Sequence, residues 1–132
     1  MVWLAQNEGD PQTTQQIAAA TQVPAGYLSK VLQSLGRGGL VRASRGLHGG
    51  FDLARPAADT SILDVINVVD PIKRIPACPL SLKAHRLALC PLHKRLDDAM
   101  ATLEATFASA SLADMLVTTG SRPLCEELVG VK

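Results

Sequence analysis

From Thr13 onward, apolar side chains return every three or four positions in some stretches and every second position in others. The first spacing keeps them on one face of a helix and the second on one face of a strand. In "TTQQIAAAT", Thr13 or Thr14 stands as an N-cap, Gln16 lies near the capping-box position, and Ile17, Ala18 and Ala20 follow, so a short helix ending at Thr21 and Gln22 is expected. Behind Pro24, which a first helical turn tolerates, Tyr27, Leu28, Val31, Leu32 and Leu35 recur at helical spacing, with Ser29, Lys30, Gln33 and Ser34 on the other side. This second helix closes at Gly36, Gly38 and Gly39. "LVRAS" and "FDLAR" then alternate apolar and polar residues as strands do, and Gly46, Gly49 and Gly50 allow positive φ in the loop between them. Ahead of all this, "MVWLAQNEGD" breaks at Asn7 and Gly9 and reads as the tail of a first helix whose beginning is truncated.

Later in the chain, from Pro91, residues Leu92, Leu96, Ala99 and Leu103 recur in steps of four, three and four, with Met100 and Phe107 widening the stripe. Lys94, Arg95, Asp98 and Glu104 occupy the opposite face of what should be a helix about 25 Å long. "SLADML", Ser111 to Leu116, carries its own cap and is expected to form another short helix.

Two short helices joined by a tight turn and followed directly by a hairpin form a winged helix-turn-helix pattern. A wing needs a basic tip, because its loop lies along a DNA backbone or enters the minor groove, where negative potential favours a guanidinium. Arg45 is the tip candidate. Arg42 and His48 offer phosphate contacts, and Gly49 and Gly50 let the backbone approach and donate amides. On the second helix, Ser29, Lys30 and Gln33 face forward to read base edges.

Composition changes this picture little. The 132 residues carry a formal charge of only +1, so a nucleic-acid reading rests on where the charges lie. Two modestly basic zones, residues 1–56 and 71–100, flank a stretch whose charges are Asp59, Asp64 and Asp70. Three cysteines do not make a secreted disulfide framework, and no apolar run reaches the ~18 residues a membrane span needs. A cytoplasmic protein with reduced thiols and no membrane partner is the expectation. Catalysis is not expected, since no nucleophile, base and orienting acid share a motif and no phosphate-cradling glycine loop precedes a helix.

Candidate chemistry lies in "ACPLSLKAHRLALCPLHKRL". Cys78 and Cys90 flank His85, and His93 follows Cys90 by three, on the same side of a helical turn. Cys90 precedes Pro91 and so stands as an N-cap, where unpaired amides and the helix dipole favour a thiolate. Thiolate and imidazole ligands suit an iron–sulfur cluster or zinc, and a metal-free thiol switch or surface thiols remain alternatives.

"PAGYLSKVLQSLGRGGLVRASRGLHGGFDLARPAADTSILDVINVVD" resembles the Rrf-type winged-helix transcriptional regulators, relatives of IscR, NsrR and CymR. The likeness rests on Tyr27 and Leu28, on Gly39 to Val41, on the wing glycines with Arg45, and on "DVI" at Asp64 to Ile66. It implies a mainly α fold with a small β-hairpin wing, in which a winged helix-turn-helix domain is followed by a long dimerisation helix. The organisation would be residues 1–70 for DNA binding, 71–90 as a sensor or ligand loop, and 91–132 as dimerisation helix and tail. By the same likeness Tyr27 joins the DNA-binding set, and Leu92, Leu96, Ala99, Leu103 and Phe107 form the interface of a homodimer on a palindromic double-stranded operator. The implied activity is that of a regulator, by expectation a repressor, whose operator affinity follows redox, iron–sulfur, nitric oxide or sulfur status. Cluster-bearing relatives hold three cysteines six apart, with a histidine three after the last in the IscR type; Cys78, Cys90 and His93 match, but Ala84 takes the middle place. His85 and Cys125 are the substitutes for the missing ligand. The competing reading is a winged-helix interaction module that docks a partner protein and carries no cluster.

Overall fold

In the computed structural model, residues 1–79 and 88–117 are described. Three helices come first: α1 (Val2–Gln6), α2 (Thr14–Thr21) and α3 (Ala25–Arg37). A hairpin of β1 (Val41–Ser44) and β2 (Gly50–Leu53), a 3-10 turn at Ala57–Asp59, α4 (Ile62–Val69) and α5 (Pro91–Ala108) complete the order. Thr13 caps α2 in a full capping box: its hydroxyl accepts from the Gln16 N–H while the Gln16 side chain accepts from the Thr13 N–H. The turn into α3 passes through Gln22 at φ 55. Ser61 and Asp64 build a second capping box on α4, and Arg55 reinforces it by donating to the Asp64 carboxylate at 2.6 Å.

The core gathers under α3. Leu28, Leu32 and Leu35 on its inner face pack with Leu4 of α1, Ile17 of α2, and Leu40, Val41 and Leu53 around the hairpin. Tyr27 departs from the expected apolar stripe, standing 62% exposed on the flank of α3. The helix also runs one residue past Gly36, to Arg37.

The wing pairs antiparallel, Val41 with Leu53 through Ser44 with Gly50. Its alternation is incomplete, because Val41 is buried while Arg42, Ala43 and Ser44 are all exposed. Gln12 adds a third strand position, exchanging two 2.8 Å backbone hydrogen bonds with Phe51. Of the three wing glycines, Gly46 uses positive φ, at 106. Gly49 and Gly50 are needed for space instead: a Cβ at Gly50 would lie 2.7 to 2.9 Å from backbone atoms of Gln12, and one at Gly49 2.5 Å from the Ser44 carbonyl oxygen.

After α5 the chain returns to the winged helix. Ser111 bridges Ser61, and Leu112, 1% exposed, joins the same buried cluster as Leu4 and Leu35. "SLADML" is therefore a turn rather than a helix: Ser111 and Asp114 exchange capping bonds, but no helical turn follows. Two i to i+3 bonds, from the Met115 amide to the Leu112 carbonyl and from the Leu116 amide to the Ala113 carbonyl, form the turn that carries the buried Leu112. Among the described residues, no helix is long and apolar enough to cross a membrane.

Candidate nucleic-acid interface and metal centre

Every residue nominated for DNA contact lies at the surface. Tyr27, Lys30 and Gln33 on α3, and Arg42, Arg45 and His48 on the wing, are exposed, while Ser29, Gly49 and Gly50 are half-buried. Ser29 turns inward to its own helix, its hydroxyl donating to the Ala25 carbonyl at 2.9 Å, which leaves Lys30 and Gln33 as the outward polar groups. Arg37, outside the apolar and polar pattern that marks α3 in the sequence, extends the cationic side of α3 at its C-terminal end. The signal that would have found it is an absence: between Pro11 and Phe51 the chain holds Lys30, Arg37, Arg42 and Arg45 and not one Asp or Glu. The helix-turn-helix and the wing as far as Phe51 lie inside this acid-free run, and Asp52 on β2 is the first acid after it.

Arg42 has a structural partner. It donates at 2.9 Å to Asp52, directly across the hairpin, yet its side chain stays 68% exposed. Burial pushes the Asp52 carboxyl up, but hydrogen bonds from Arg42 and from the Leu53 and Gly9 amides outweigh it and hold the group below the usual carboxylate range. The pair stiffens the wing base.

The second site forms where the segment after α4 meets the start of α5. Cys78 is buried, Cys90 occupies the N-cap of α5, and His93 lies one turn on. The Cys90 sulfur does not cap the helix; it turns to His93, whose Nδ1 lies 3.1 Å from Cys90 Sγ and 3.6 Å from Cys78 Sγ. All three ligand atoms fall within 4.8 Å of one another. A tetrahedral ion with sulfur at ~2.3 Å and nitrogen at ~2.0 Å spaces its ligands by somewhat less than 4 Å, so the trio fits three corners of such a site, with Nδ1 as the histidine donor. His85 and Cys125 lie outside the described residues.

An ion-pair seam holds this site to the helix. Arg74 donates to Asp97 at 2.6 and 2.7 Å and to Glu104 at 3.1 Å, and the Ile75 amide donates to Asp97 at 2.9 Å. The Arg74 guanidinium and the Ile75 amide hold the Asp97 carboxyl at about 2. Glu104, expected on the solvated face, is thus half-buried on the inner one. His93, Asp97, Met100, Glu104 and Phe107 are half-buried along one side of α5, while Leu92, Leu96 and Leu103 stand 64, 44 and 47% exposed on the outer side with Ala99. The expected stripe is therefore split: Met100 and Phe107 serve the chain's own packing.

The family model for Rrf2, described as an iron-dependent transcriptional regulator, matches residues 1–118. This chain belongs to the Rrf2 family. Among solved Rrf2-type structures, CymR, the global cysteine regulator of Bacillus subtilis, superimposes with a TM-score of 0.71 at 22% identity, covering 86% of this chain and 84% of that one. IscR of T. potens gives 0.70 at 25% identity, covering 90% of this chain and 84% of that one. A Mycobacterium tuberculosis protein named as an HTH-type transcriptional regulator is 42% identical over 57 residues, 43% of this chain and 35% of the relative. The chain thus spans about a third of that relative's length. An Aquifex aeolicus protein, also named as an HTH-type regulator, is 23% identical over 88% of this chain and 83% of its own. The Rrf2 assignment and the winged-helix fold agree with the resemblance read from the wing and the "DVI" helix.

Proposed function

We propose that this chain is one subunit of a homodimeric Rrf2 repressor that binds a palindromic DNA operator. Lys30 and Gln33 on α3 read base edges in the major groove, Arg37 and Arg42 neutralise phosphates, His48 adds a phosphate contact, and Arg45 reads groove shape. The observation that carries this is the acid-free run from Pro11 to Phe51, whose cations all project outward from the helix-turn-helix and wing. The stripe of Leu92, Leu96, Ala99 and Leu103 provides the two-fold contact that sets the spacing of two recognition helices. The test is a mobility-shift titration of the chain's own upstream promoter DNA against salt. Affinity is expected to fall steeply with salt, and Arg45→Ala to weaken binding and lower the log–log slope by about one. A slope near zero would overturn the reading and favour the protein-docking alternative.

Cys78, Cys90 and His93 make the sensing element of this reading. They would hold an iron–sulfur cluster or a single metal ion, which supplies a redox- or nitric-oxide-sensitive centre beside the ion-pair seam on α5. Purified anaerobically, the wild-type chain is expected to carry metal in proportion to protein, and His93→Ala to carry several-fold less. Equal metal content in both would remove His93 from the site.

A further inference from the structure

Leu47 is the odd residue of the wing. It is 96% exposed, the most exposed large apolar side chain among the described residues, and it stands between Arg45 and His48, which are themselves exposed. The Gly49 amide donates to the Gly46 carbonyl at 3.0 Å, closing a four-residue turn with Leu47 and His48 at its two corners. The turn rests on a fixed base: the Ser44 hydroxyl bonds both the amide and the carbonyl of Gly50, and Gly49 packs against the Ser44 carbonyl. Leu47, His48 and Gly49 share a cleft with Asp10, Thr13 and Gln16, yet that cleft does not take up the leucine side chain.

An apolar side chain turned outward between a guanidinium and an imidazole matches a surface that is negative at its rims and apolar within. The minor groove of duplex DNA has that character, with phosphates along both edges and sugar and base edges inside. We propose that Leu47 is a specificity residue that enters the minor groove beside Arg45 and favours A·T steps there. The physical reason is the groove floor: a G·C pair places the guanine N2 amino group where the leucine methyls would sit, stranding a polar donor against them, while an A·T floor leaves room. Arg45 and His48 hold the tip against the flanking phosphates. This deepens the operator-binding reading and rests on it.

The test begins with a duplex selected by the full wild-type chain from a randomised pool, with the wing-covered steps located by hydroxyl-radical footprinting. Leu47→Ser is expected to bind that duplex about tenfold more weakly with an unchanged salt slope, and Leu47→Met to restore most of the loss. Replacing A·T by inosine·C at the wing steps, which keeps the A·T minor groove but alters the major one, should leave wild-type affinity intact, whereas G·C should weaken it. Equal binding by Leu47→Ser and wild type, a loss that lowers the salt slope, or sensitivity to inosine·C would overturn the proposal while leaving operator binding in place. Failure of the wild type to select any duplex would bring down the operator reading itself. Because Leu47 makes no packing contact of consequence, a circular-dichroism melt matching wild type verifies that the variants fold.

Discussion

Replacing Gly50 by Ala tests how the wing is fastened to the body. The added Cβ would sit 2.7, 2.8 and 2.9 Å from the C, O and N of Gln12, where ordinary contact begins near 3.4 Å. Backbone atoms on both sides leave no flexible side-chain tip to swing away. Either the clash stays, costing about 1–3 kcal/mol as other overpacked sites do. Or Gln12 retreats and its two 2.8 Å hydrogen bonds with Phe51 are lost, at about 0.5–1.5 kcal/mol each. These are alternatives rather than a sum, and both arrive near 2 kcal/mol. For a chain of this length that corresponds to a melting temperature lower by roughly 6–10 °C. Urea unfolding followed by circular dichroism measures it, and the m-value should not change. Gly26→Ala is the matched control: Gly26 lies in α3 with open space around its Cβ direction, so alanine should raise stability by about 0.5–1 kcal/mol. A Gly50→Ala variant within about 0.5 kcal/mol of wild type would mean that Gln12 and Phe51 are not paired as described.

Asp97→Asn reports on the seam through its pH dependence. The folded carboxyl sits at about 2, below its unfolded value of 3.8, so the stability it contributes is fully present above about pH 4 and is lost as pH falls toward 2. The difference in urea midpoint between wild type and Asp97→Asn should be constant from pH 5 to 8 and shrink below pH 4; a gap independent of pH would refute the pairing with Arg74. The paired variant Leu96→Asp with Leu103→Asp should keep the wild-type circular-dichroism spectrum and give a monomer by analytical ultracentrifugation, since both residues are exposed in the single chain. A variant that stays dimeric would place the two-fold contact elsewhere.

Local chemistry made much of this protein legible in its sequence. Thr13 with Gln16 announces α2, and the leucine spacing after Pro24 announces α3, because capping and helical periodicity depend on residues within one or two turns. The wing was likewise readable from alternation and glycine, and Cys78, Cys90 and His93 from ligand chemistry and a three-residue step. What escaped depended on partners far along the chain. The loop pattern around Gly50 suggests conformational freedom, but its role is to admit Gln12, 38 residues earlier. Glu104 was placed in solvent, because nothing near it in sequence reveals that Arg74 reaches it.

The same division runs through the whole molecule. The chain by itself determined the winged helix-turn-helix, the long helix, the acid-free run that carries the cations of α3 and the wing, and the identity of the sulfur and imidazole donors, all of which follow from short-range pattern and residue chemistry. Only the tertiary structure decided which face of α5 turns inward, that "SLADML" becomes a turn delivering Leu112 to the core, and that Leu47 stands bare at the wing tip. An amphipathic helix with apolar residues on more than one side can bury either, and the choice falls to the arrangement that also satisfies Arg74 and closes the core over Leu112.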